Sequence, residues 1–214
     1  MMMQLLIFGA TGGTGQQLVA QALQQGHTIT AFVRTPVKMT IQHPRLTIIQ
    51  GDVMDYKSVE KVMPGHDAVL SALGRPASKT GTVRSTGTHH IIRAMEKTGI
   101  KRFICQTSLG YGDSKATLRR TPFIFKRIIV PLLLKKGFAD HALQEQFIKN
   151  SSLDWVIVRP GNLTDGALTG RYRYGFAATD PDIAVKVSRA DVADFMLKQL
   201  TDKTFLHKTP GLSY

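Results

Sequence analysis

Apolar residues cluster in short runs, and longer stretches of helical period lie between them. Leu5-Leu6-Ile7-Phe8, Thr28–Val33, Leu46–Gln50, Asp67–Leu70, Lys101–Gln106 and Leu153–Val158 have the length and composition of β-strands. The intervening segments carry apolar residues on one helical face. One runs from Gln16 to a stop at Gly26, and one spans Tyr56–Met63 before Pro64-Gly65. A third, from about Val83 to Thr98, turns Ile91, Ile92 and Met95 inward and closes at Gly99. A fourth, from about Asp140 to Asn150, places Leu143, Phe147 and Ile148 on one face. Ser188-Arg189-Ala190-Asp191 has the spacing of a capping box before Val192, Phe195, Met196 and Leu200. Strand and helix alternate without repeats, linkers or low-complexity tracts. That predicts an α/β fold, a doubly wound parallel sheet forming a single domain over residues 1–214.

In such sheets the ligand site lies beyond the carboxyl ends of the strands. The loops of interest therefore begin at Gly9, Arg34, Asp52, Ser71, Thr107 and Pro160. The first is the most informative. Gly9-Ala10-Thr11-Gly12-Gly13-Thr14-Gly15 joins the first strand to the first helix in a G-x-x-G-x-x-G pattern. Gly9 permits the tight turn, Gly12 lets backbone approach a pyrophosphate, and Gly15 lets the helix pack close to the sheet. The helix N-terminus then offers free N–H groups and a positive dipole to the anion. This is the phosphate loop of a Rossmann-like dinucleotide site.

The end of the second strand selects the dinucleotide. A carboxylate there would bind an adenosine 2′-OH and repel a 2′-phosphate, whereas a guanidinium pairs with the phosphate. The chain has Arg34, then Thr35-Pro36, and no carboxylate until Asp52. The expected cofactor is NADP(H), set against the plainer reading of Arg34 as a solvated strand-end residue.

Composition adds bounds. The 214 residues are 43% hydrophobic and 20% charged, as in an ordinary globular protein. Met1-Met2-Met3-Gln4 has no basic n-region, and the apolar stretch Ile128–Leu134 is too short to span a bilayer, so a cytoplasmic protein is expected. One cysteine, Cys105, lies in an apolar strand and reads as a buried structural thiol; no Cys/His cluster suggests a metal. Charge is unusual: 28 Lys and Arg against 15 Asp and Glu give +13. The excess gathers between Lys115 and Lys136, interleaved with Phe123, Ile124, Phe125 and the Ile128–Leu134 run. Such a segment fits a membrane surface, a lid over a substrate, a partner contact, or simply a helix with a solvated basic side. An anionic small-molecule substrate fits the charge. Specific nucleic-acid binding has no motif behind it.

A substrate would meet the cofactor at the ends of the fifth and sixth strands. Ser108 ends the first of these, and its hydroxyl is placed to orient a carbonyl or carboxamide, although serines also commonly terminate strands. Asn162 lies beyond the second. Tyr111 and Lys115 have Y-x-x-x-K spacing, which in short-chain dehydrogenases supplies a proton donor. Here the pair falls in a Gly-containing stretch that reads as loop, only three residues past Ser108, so Tyr111 is a secondary candidate. Without that dyad, hydride transfer to an electron-poor ring system such as a flavin is favoured over ketone reduction.

The run Ile7–Gly15, Val33-Arg34, Gly51-Asp52-Val53, Thr107-Ser108, Ser152–Trp155, Arg159-Pro160-Gly161 and Leu168-Thr169-Gly170 together resemble the flavin reductase/biliverdin-IXβ reductase group. These are atypical NADPH-dependent members of the short-chain dehydrogenase/reductase superfamily. The resemblance implies phosphate contacts from Thr11, Gly13, Thr14 and Gly15, and a 2′-phosphate contact from Arg34. It also implies adenine contacts near Asp52 and Val53, a nicotinamide-ribose wall at Leu73 and Gly74, and Ser108 beside the reacting centre. Two departures fall on the substrate side, whose elements span about 108–140 and 160–187. Asn162 stands where mammalian-type enzymes carry a histidine, and the stretch from about Leu118 to Gly137 is longer and more basic. The expected activity is hydride transfer to a flavin (FMN or riboflavin), extending to a linear tetrapyrrole such as biliverdin, by a protein that is monomeric. The competing expectation is a non-catalytic NADP(H) sensor or assembly factor, with 118–137 as its partner or peripheral membrane contact.

Overall fold

The computed structural model describes residues 2–74, 81–120 and 135–214. Much of the basic, apolar segment, and with it most of the 118–137 membrane or partner contact, lies outside the described residues. Parallel pairings build most of the sheet: β1 (Gln4–Phe8) is flanked by β2 (Thr28–Val33) and β4 (Ala68–Ser71), with β3 (Leu46–Gln50) outside β2. On the other side β5 (Arg102–Gln106) and β6 (Asp154–Pro160) continue from β4. Strand order therefore reverses at β1, and a crevice opens between the carboxyl ends of β1 and β4.

Successive residues of β1 explain why it reads as an unbroken apolar run. Leu5 and Ile7 enter one core, with α1 (Gly13–Gln24) and α5 (Arg189–Lys198). Leu6 and Phe8 enter the other, with α2 (Tyr56–Val62) and α3 (Val83–Thr98). Both faces of the strand are buried, so alternation disappears. The helix over Val83–Thr98 has the predicted bounds, and Gly99 closes it at φ +78° with its N–H on the Met95 carbonyl.

Three expectations need correction. The helix predicted from Asp140 is α4 (Lys135–Lys149), and its buried face is Asp140, His141, Gln144, Glu145 and Ile148. Leu143, predicted on that face, is 41% exposed. Polar side chains that pair with one another can occupy a buried stripe, and hydrophobic periodicity then points to the wrong side. Second, the stretch after Tyr111, read as loop, winds into a 3-10 helix over Gly112–Arg120. Third, the capping box is only half formed. Ser188 Oγ accepts from the Asp191 N–H at 3.0 Å, but the Ser188 N–H goes to Tyr214 Oη at 3.0 Å. Asp191 instead takes the N–H groups of Thr169 and Gly170, 2.9 Å each, together with the Tyr214 hydroxyl at 2.7 Å. A carboxylate fully buried at a helix start ties down two distant segments.

Short strands absent from the sequence reading complete the carboxyl side. β7 (Asn162–Thr164) pairs with β9 (Lys186–Ser188). β10 (Gly211–Ser213) joins the sheet beside β6, with β8 (Arg173–Tyr174) antiparallel at its edge. No helix among the described residues is long and apolar enough to cross a membrane.

Candidate functional site

A cavity of about 630 Å³ occupies the crevice. Its floor is the glycine turn, where Gly9, Thr11, Gly12, Gly13 and Thr14 all line the wall. Gly9 sits at φ +77°, and a Cβ there would lie 2.4 Å from the Ala72 carbonyl oxygen. Gly15 does not reach the cavity. Its hydrogen faces Gly9, where a Cβ would stand 2.1 Å from the carbonyl oxygen, so it lets α1 close on the turn. No side chain caps α1, whose first hydrogen bond in this turn runs from Gln16 N–H to Gly12 O at 2.8 Å. The amides of Gly13, Thr14 and Gly15 precede that bond and form the positive end of the helix.

Arg34 lines the adjacent wall with Lys38, one helical turn further along the chain. Val53, Leu73 and Gly74 complete the middle, and Ser108 stands at the far end with Gln106, Arg84 and His141. Asp52 does not line it: its Oδ1 accepts from the Met54 N–H at 3.0 Å and shapes the turn that presents Val53. Asn162 is exposed on β7, and its neighbour Leu163 faces the cavity instead. Arg34, Lys38, Arg84 and Arg189 line the wall and no carboxylate does among the described residues, although Arg84 pairs with Asp140 and Arg189 with Asp165 from outside it. Gln106 Oε1 is buried there without a hydrogen-bond partner. An uncapped helix N-terminus, a turn bare of Cβ atoms at Gly9, Gly12 and Gly13, and lining charges that are all cationic among the described residues fit a phosphorylated dinucleotide.

Beneath the far end lies a buried ionic cluster. Glu145, 3% exposed, takes Arg159 Nε at 2.8 Å and Nη2 at 2.5 Å, Thr107 Oγ1 at 2.8 Å and Tyr111 Oη at 2.5 Å. Burial alone would raise the Glu145 carboxyl, but the Arg159 guanidinium and the two hydroxyls outweigh it and hold it at about 2. Arg159 also contacts Asp113. Tyr111 is thus turned away from the cavity. Burial first, and then the adjacent Glu145 carboxylate, push its phenol well above the ordinary range. The Tyr111 ring stacks on His141 at 6.0 Å and 14°.

His141, like Arg84, stands at this end without a signal in the sequence pattern. Its Nδ1 meets Gln144 Oε1 at 2.9 Å, and Gln144 Nε2 continues to Thr88 Oγ1 at 3.1 Å. Burial, with Arg84 adding to it, lowers its pKa from 6.5 to about 4, so the imidazole is neutral at pH 7. The unfolded chain takes up a proton near pH 6.5 and the folded one only near 4, so stability falls as pH drops through that window. The expected loss is roughly 3 kcal/mol. Denaturant melts of wild type and His141→Gln between pH 7 and 4 check it: the variant loses that part of the slope. Asp140, one residue earlier, accepts from the Arg84 and Ser85 N–H groups at 3.3 and 3.0 Å and so caps α3 from another helix. Cys105 is buried, and burial pushes its thiol up to about 12.

Residues 9–203 match the NAD(P)H-binding family. The chain belongs to that family. It is an NAD(P)H-binding protein with a Rossmann-like fold. Over 174 residues it is 29% identical to the photosystem II assembly factor Ycf39 of Synechocystis, covering 79% of this chain and 48% of that protein. An uncharacterized chloroplastic protein of Arabidopsis thaliana is 30% identical over 177 residues, 78% of this chain and 61% of its own length. The chain thus spans only about half to three-fifths of these relatives. Among solved structures, ChuY of Escherichia coli, described as an anaerobilin reductase, superposes with a TM-score of 0.80 at 26% identity, covering 98% of this chain and 96% of that one.

Proposed function

We propose that this family member is an NADPH-dependent reductase that passes hydride to an electron-poor, anionic conjugated acceptor, a flavin or a linear tetrapyrrole. The observation that carries it is the charge and chemistry of the cavity at the carboxyl ends of β1 and β4. Arg34 and Lys38 stand at the adenosine end and select a 2′-phosphate, and the glycine turn takes the pyrophosphate. At the other end stand Ser108, neutral His141 and Arg84, with no carboxylic acid at the wall among the described residues. A bound reduced nicotinamide supplies the hydride. Arg84, whose Nη1 is held by Asp140 at 3.5 Å, presents its guanidinium to the acceptor's carboxylate or phosphate, and Ser108 orients its polar edge. Tyr111, locked on Glu145, donates no proton, so water supplies it; this suits conjugated acceptors and disfavours ketones. ChuY's description as a reductase of a bilin supports the acceptor class.

Following NADPH oxidation with FMN, riboflavin and biliverdin in turn tests the proposal. Ser108→Ala is expected to lower kcat/KM roughly 10-fold with an unchanged NADPH Kd, as befits a hydrogen bond to the reacting partner. NADPH binding without oxidation by any of the three acceptors sinks the reductase reading. A second reading, a cofactor-reporting assembly factor, is favoured by the Ycf39 relative. Under it the same assay shows saturable binding and no turnover, and the cofactor changes the chain's affinity for a protein partner.

A further inference from the structure

From the position of Arg189 we infer that α5 contributes a pyrophosphate-binding arginine to the dinucleotide site, and that Asp165 on the substrate side is the counter-ion that competes for it. The inference rests on the nucleotide site described above. Arg189 is the first residue of α5, far in sequence from the glycine turn, yet it lines the same cavity. Its stem lies directly on the turn: a Cβ built on Gly13 would meet Arg189 Cδ at 2.5 Å and Nε at 2.8 Å. Gly13 is therefore bare for this arginine as much as for a phosphate.

The placement is fixed by packing. Gln21 of α1 is buried and donates from Nε2 to the Ala190 carbonyl at 2.9 Å, which binds the start of α5 to the flank of the phosphate-binding helix. Ser188 anchors the residue before, and Asp191 the residue two beyond, through the bonds already described. The backbone at Arg189 is held, and its side chain projects over the α1 N-terminus.

The guanidinium pairs with Asp165, Nη1 to Oδ1 at 2.5 Å, in a contact whose carboxylate side chain is 89% exposed. A pair so open to water is worth little. A pyrophosphate seated on the α1 amides offers more negative charge in a more enclosed place, and geometry suited to a guanidinium fork. The phosphate therefore wins the contest, and Asp165 lowers the affinity by the small amount needed to part the pair. Asp165 follows β7, so the exchange links cofactor occupancy to the segment that bounds the substrate end.

The test measures Kd by calorimetry for NADPH, NADH and 2′-AMP with wild type, Arg189→Gln and Asp165→Asn. Glutamine keeps a stem on Gly13 and removes the charge, and a melting curve establishes that the variant folds. Arg189→Gln is expected to weaken NADPH and NADH alike by about 10-fold, and to leave 2′-AMP, which has no pyrophosphate, within about twofold. Asp165→Asn is expected to tighten both dinucleotides by about threefold, again sparing 2′-AMP. Unchanged NADPH affinity in Arg189→Gln, or an equal loss on 2′-AMP, overturns the assignment. An Asp165→Asn protein with wild-type affinities overturns the competing counter-ion. Wild type that binds neither dinucleotide removes the nucleotide-site reading itself, a result distinct from either.

Discussion

Glu145→Gln is expected to destabilise the protein by about 3–5 kcal/mol at pH 7, the cost of leaving a buried guanidinium without its main counter-charge. At this chain length that corresponds to a fall in Tm on the order of 10 °C. Arg159, only 4% exposed, keeps Asp113 but loses the paired oxygens of Glu145, and Thr107 and Tyr111 lose a charged acceptor. The pH dependence has a definite sign. The Glu145 pKa drops from 4.5 to about 2 on folding, so its stabilisation is complete above pH 4.5 and is lost as pH falls through 2. Chemical denaturation at pH 7, 4.5 and 3 should show wild type and variant converging. Replacing both partners, Glu145→Gln with Arg159→Met, should recover much of the loss, because no charge is then left unpaired. A single variant as stable as wild type at pH 7 would show that the cluster contributes nothing net. The cluster matters for function because Thr107 and Tyr111 flank the strand end that carries Ser108.

Arg34→Ala is expected to weaken NADPH by about 30- to 100-fold while changing NADH by less than about twofold, since charge-assisted bonds to a phosphate are the strong class. Arg34 is exposed and forms no ion pair among the described residues; its carbonyl accepts from Gln50 Nε2 at 3.5 Å. The guanidinium is thus available, with Lys38 beside it. An exposed pair is screened by salt, so the gap between the two cofactors should narrow as ionic strength rises. Titration of both cofactors by calorimetry at low and high salt measures this. Equal losses for NADPH and NADH would take Arg34 out of the 2′-phosphate site.

Local chemistry was legible where a residue acts through its own backbone or its immediate neighbours. Gly9 needs a positive φ beside Ala72, and Gly15 needs contact with Gly9, so the motif that encodes them is contiguous. Arg34 follows a strand whose end must lie at the crevice, so its place was implied by the element before it. The face of α4 was not legible. Asp140, His141, Gln144 and Glu145 are buried because partners on α3, β5 and β6 receive them. Nothing in the helix's own pattern announces those partners, and periodicity favoured Leu143. Tyr111 and Lys115 show the converse: the spacing of a catalytic pair, but a phenol drawn to Glu145 and away from the cavity wall.

The sequence alone determined the order of β1–β6 and the helices between them, the glycine turn and the cation at the second strand's end, because each depends on residues within a few positions of one another. Tertiary structure alone decided which side chains meet at the far end of the cavity. Arg84 and His141 arrive there on separate helices, and Arg189 reaches the glycine turn because α5 packs on α1 through Gln21. The same holds for β10, three residues that join the sheet only because β6 offers an open edge to Gly211 and Leu212. Such meetings are set by packing between elements distant in the chain, and one-dimensional patterning carries no record of them.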